Sequence, residues 1–85
     1  MSGEAMLKHA ANVVADRSGA YGAPSTSMDL LARRWSITLG CNVTPAQAVM
    51  CLIDLKLTRL AHNPKHQDSI LDIAGYAAVL HEVSR

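Results

Sequence analysis

Eighty-five residues, with eight Lys/Arg, seven Asp/Glu and a net charge of +1, make one domain with no long-range electrostatic signal for nucleic acid or an anionic membrane. No run reaches the ~20 apolar residues of a membrane span, and the N-terminus has no apolar signal core. A cytoplasmic protein is expected, with Cys41 and Cys51 as reduced, buried thiols. A chain this small hides only ~60% of its unfolded surface, and its 49% hydrophobic content makes a homo-oligomer the expected remedy.

Helix is the only regular structure the pattern supports. Phenylalanine is absent, β-branched residues are scattered, and no period-two alternation persists. The first helix is predicted from Glu4 to about Arg17, with Leu7, Ala11, Val14 and Ala15 as its apolar stripe. Ser18 to Pro24 holds two glycines and a proline and breaks it. The second helix starts near Ser25 or Thr26, either of which caps well. It runs through Leu30, Leu31, Trp35, Ile37 and Leu39 to a stop at Gly40. Arg33 follows Asp29 by four residues, the spacing of a surface ion pair. The third helix has the clearest start: Thr44 as N-cap, Pro45 as first residue and Gln47 at the capping-box position. Asn63-Pro64 ends it after about His62.

Within this third helix, Ala46 and residues 48–53 are apolar on every side, which implies burial on every side. Either a second subunit covers one face or the other three helices wrap it. The fourth helix begins near Asp68 or Ser69 and reaches Glu82 or beyond. The expected fold is all-α, a four-helix bundle-like single domain over residues 1–85, oligomeric.

The residues with chemistry to offer gather in the last third and at the first break. Asp68 and Asp72 are four apart and share a helix face. Their partner is either Mg²⁺ or the Lys56 and Arg59 side chains of the preceding helix, and either carboxylate also suits a helix N-terminus. Lys65 and His66 precede that N-terminus, where free N–H groups favour an anion. Tyr21 and Tyr76 offer rings for stacking and hydroxyls for hydrogen bonds, and Arg17 stands one turn before Tyr21. Four histidines, His9, His62, His66 and His81, do not make a zinc motif, because Pro64 interrupts the helix that would align His62 with His66.

Five segments carry a resemblance: Asp16 to Gly22, Ala32 to Ser36, Thr44 to Val49, Lys56 to Leu60, and Asn63 onward. They give R-x(3)-YG-x-P, A-R-x-W-S and K-x-x-R-L-x-x-N-P-x-H-x-D-S-x-x-D-x-A-G-Y-A. Over nearly the whole chain this resembles a family of small phage and prophage proteins with a domain of unknown function. That family is distantly similar to the all-α nucleoside triphosphate pyrophosphatases of the MazG and dUTPase-like group, and to a nucleotide-modification-associated phage domain. The resemblance implies a helical bundle and a nucleotide-sized ligand. Those pyrophosphatases hold Mg²⁺ with E-E-x-x-E and E-x-x-D motifs. Here the only glutamates are Glu4 and Glu82, and Asp68, Asp72 and Asp54 are the only carboxylates that correspond. Three or four carboxylates can hold metal against a triphosphate, whereas two such as Asp68 and Asp72 do so poorly, so the expected function is capture of a nucleotide or nucleotide-derived signal. Arg17, Lys56, Arg59, Lys65 and His66 would meet its phosphates, with Tyr21 or Tyr76 at the base. The alternatives are a minimal Mg²⁺-dependent pyrophosphatase using Asp68 and Asp72, and a structural or partner-binding phage protein.

Overall fold

A computed structural model describes residues 1–85 as four helices and no strand: α1 (Gly3–Tyr21), α2 (Pro24–Leu39), α3 (Pro45–His62) and α4 (Gln67–Val83). The helix ends show why. Ser2 caps α1 by accepting the Ala5 N–H at 3.1 Å. Thr44 and Gln47 form the full reciprocal capping box at α3, with N–H to oxygen distances of 2.9 and 3.1 Å. Gly40 ends α2 in the left-handed conformation at φ 70°, where a Cβ would clash with its own backbone.

Three ends differ from expectation. α1 does not stop near Arg17 but runs through Gly19 to Tyr21, and Gly22 turns the chain at φ 87°. One interior glycine weakens a helix without ending it when three hydrogen-bonded turns precede it. α2 begins at Pro24 rather than Ser25 or Thr26, and Ala23 precedes it with no side-chain cap; proline's fixed φ suits the first helical position. α4 is capped by His66 rather than Asp68 or Ser69. The His66 ring Nδ1 accepts the Ser69 N–H at 3.3 Å, and the Ser69 hydroxyl lies 2.7 Å from the same nitrogen.

α2 and α4 each pack against the three other helices, α4 the more extensively, whereas α1 and α3 do not pack against each other. The other three helices therefore do not wrap α3 within one copy. α3 buries Ala48 and Val49 but exposes Met50, Cys51, Leu55 and Leu57, so its apolar circumference is only half used. On α1 the inward residues are Met6, Ala10, Val13 and Val14, while Leu7, Ala11 and Ala15 face out. On α2, Ala32 is buried and Leu31 and Trp35 half-buried, but Leu30, Ile37 and Leu39 are exposed. Cys41 and Cys51 are free thiols, as expected, but exposed rather than buried. Ser36 anchors the α2–α3 loop. Its hydroxyl donates to the Ala32 carbonyl at 2.8 Å and accepts the Val43 N–H at 2.8 Å. No helix is long and apolar enough to cross a membrane.

Candidate functional site

Because α1 continues one turn past Arg17, its last turns carry Val14, Arg17, Ser18 and Tyr21 on one face. That face looks onto α4, where Leu71, Asp72, Gly75, Tyr76 and Val79 recur at helical spacing. The first turn of α2 and Leu52 of α3 close the remaining sides. Together they line a cleft of about 610 Å³, within the usual size range of small-ligand sites. The walls are mainly aliphatic. Two of the chain's three aromatic residues lie here: Tyr76 half-buried within it, and Tyr21, 79% exposed, at its rim.

The charges in and beside this cleft are arranged asymmetrically. Asp72 is paired with Lys56 at 2.9 Å, the two side chains only 19% and 12% exposed, so the carboxylate is neutralised where it stands. Arg17 makes no ion pair; those present are Lys8–Glu4, Arg33–Asp29, Lys56–Asp72 and Arg85–Glu82. Pro24 and Ser27 place the N-terminus of α2 on the cleft wall, and no side chain caps it. The first residue of α2 is a proline with no N–H, and the Thr26 and Ser27 N–H groups already donate to the Ala23 carbonyl at 3.1 and 3.2 Å. The Arg17 guanidinium is therefore the cationic group this cleft keeps free for an anion.

The expected site residues divide. Arg17, Tyr21, Asp72 and Tyr76 share this cleft, with Lys56 attached through Asp72. Arg59 and His66 line a separate groove with Thr58, His62 and Asn63. Lys65 and Asp68 are exposed and line neither. His66 and Lys56 are not free phosphate ligands, because one is a helix cap and the other an ion-pair partner. Asp68 and Asp72 share a face of α4 but not an environment. No three His, Cys, Asp or Glu side chains cluster to hold an ion, and with Asp72 engaged by Lys56 the donor set does not fit a protein-held Mg²⁺. Sequence reasoning misses Ser27, Met28, Leu52 and Gly75. Of these only Gly75 leaves a sequence signal, a glycine in the middle of an otherwise strong helix.

Comparison with known proteins places the chain. Residues 5–84 match the family described as Domain of unknown function (DUF6378). The Gene 55 protein of Mycobacterium phage L5 is 35% identical over 68 residues, covering 79% of this chain and 44% of that protein. This chain thus spans less than half the length of that relative. No solved structure matches. The chain belongs to the DUF6378 family, with a phage protein among its relatives.

Proposed function

We propose that this DUF6378 chain binds a nucleotide or nucleotide-derived signal in the α1–α2–α4 cleft and holds it without hydrolysing it. One observation carries the reading: an unpaired arginine and two tyrosines converge on one mainly apolar cleft. Arg17 suits a phosphate, and Tyr21 and Tyr76 suit a heteroaromatic ring. Arg59 and Lys65 have no place in that cleft and drop out of its ligand set. The matched family has no assigned function; the nucleotide-sized ligand comes from the distant likeness to all-α pyrophosphatases read in the sequence, and the host cytoplasm is where a phage protein of this kind would meet one. A homo-oligomer, with the exposed apolar faces of α2 and α3 between copies, belongs to the same reading.

The pyrophosphatase alternative needs carboxylates free for Mg²⁺, and Asp72 is engaged by Lys56. A thermal-shift screen separates the readings. The panel is nucleoside mono- and triphosphates, their deoxy forms and cyclic dinucleotides, each with and without Mg²⁺. A ligand at 100 times its dissociation constant adds ~2.7 kcal/mol. Arg17→Ala, at an exposed position, is expected to keep the unliganded midpoint and lose the shift. Chromatography of the mixture showing Mg²⁺-dependent turnover would favour the hydrolase. No shift with any compound would leave a structural or partner-binding role.

A further inference from the structure

Gly75 stands at the ninth position of the 17-residue helix α4, where glycine is destabilising relative to alanine. Nothing in the fold requires it. Its φ is not positive; only Gly22 and Gly40 have positive φ. A Cβ built at residue 75 meets one atom within 4 Å, Val14 Cγ2 at 3.6 Å, which is ordinary van der Waals contact. Packing against α1 would therefore accept an alanine, and the helix would gain from it.

What an alanine would alter is the cleft. Gly75 lies at the centre of the α4 stripe formed by Leu71, Asp72, Tyr76 and Val79, and Val14, the one neighbour of that Cβ, lines the same cleft. We infer that Gly75 determines specificity: its bare backbone is the floor on which a flat heteroaromatic ring lies, while Arg17 takes the anionic end of the same molecule. This rests on the ligand-binding reading above and deepens it. It makes the ligand a planar ring bearing an anionic group and excludes a purely aliphatic anion. A methyl group on the floor lifts the ring away from the close contact that dispersion requires.

The test compares wild type with Gly75→Ala by thermal unfolding and by calorimetric titration with the nucleotide that shifts wild type most. Inorganic phosphate serves as the ring-free probe. Gly75→Ala is expected to unfold about 4 °C higher and to bind the nucleotide about tenfold more weakly, with any response to phosphate unchanged. A lower unfolding midpoint would show that the glycine serves packing and would overturn the inference. So would unchanged nucleotide affinity in a variant that folds, and that result leaves the binding reading intact. A wild type that responds to no nucleotide would overturn the binding reading, and this inference with it.

Discussion

Lys56 and Asp72 come from different helices, meet at 2.9 Å and are both mostly withdrawn from water. Their mutual attraction offsets a desolvation cost that neither bears well alone. Removing one partner strands the other charge, so Asp72→Asn and Lys56→Met are each expected to cost about 3 kcal/mol, seen as a lower denaturation midpoint. The double variant Lys56→Met/Asp72→Leu should recover most of that loss, since two apolar side chains leave no stranded charge. Single variants that unfold like wild type would show that the pair contributes little. Arg17 is the contrasting case. It is exposed and unpaired, and its replacement should move stability by less than about 0.5 kcal/mol. A binding defect in Arg17→Ala therefore reports on the ligand, whereas one in Asp72→Asn first reports on the fold.

The turn from α3 into α4 shows how one element absorbs a whole motif. Asn63 accepts the Lys65 N–H on its side-chain oxygen at 3.2 Å and the His66 N–H on its carbonyl at 3.1 Å. Pro64 stops α3, His66 caps α4, and the hydroxyl of Ser69, 1% exposed, lies 2.7 Å from His66 Nδ1. His66→Ala is expected to cost about 1 kcal/mol, and His66→Asn, a strong N-cap residue, to restore most of it. Urea denaturation of both variants checks this, and equal instability of the two would mean the ring has a use beyond capping. Much of this fold is legible in sequence, because capping at Thr44 and Gly40 depends on a few adjacent residues. The Asp29–Arg33 pair at 3.1 Å is legible for the same reason. The end of α1 is not, because a glycine's local preference yields to an established helix. Nor is the cleft, whose walls come from α1, α2, α3 and α4; sequence offers Arg17, Tyr21, Arg59, Lys65 and Tyr76 as one candidate set but cannot show that Arg17, Tyr21 and Tyr76 share a cleft while Arg59 and Lys65 lie elsewhere.

Across the whole molecule the core is thin. Five residues are buried, Ala10, Ala32, Ala48, Val49 and Ser69, and none has a large side chain. The radius of gyration is 13.5 Å, against about 12 Å for a well-packed chain of this length. The extents of 41 × 31 × 21 Å describe a flattened body. Large apolar side chains lie outside instead: Leu30 and Ile37, seven residues apart on one face of α2, and Met50 and Leu57, likewise spaced on α3. Seven residues are nearly two full helical turns, so each pair lies on one face of its helix, with Arg33 and Arg34 between Leu30 and Ile37 and Asp54 between Met50 and Leu57; exposed apolar side chains set among charges in this way suit an association surface. Self-association through these faces would supply the apolar burial that one copy lacks. Sedimentation velocity is expected to show a dimer or larger species whose thermal midpoint rises with protein concentration. Ile37→Glu and Met50→Glu place charges on these faces at positions already exposed (Ile37 is 74% exposed), so they should leave each copy's fold intact while shifting the population to monomer. Monomeric wild type with a concentration-independent midpoint would mean that the faces meet a different protein. The thin core would then be completed only in that complex.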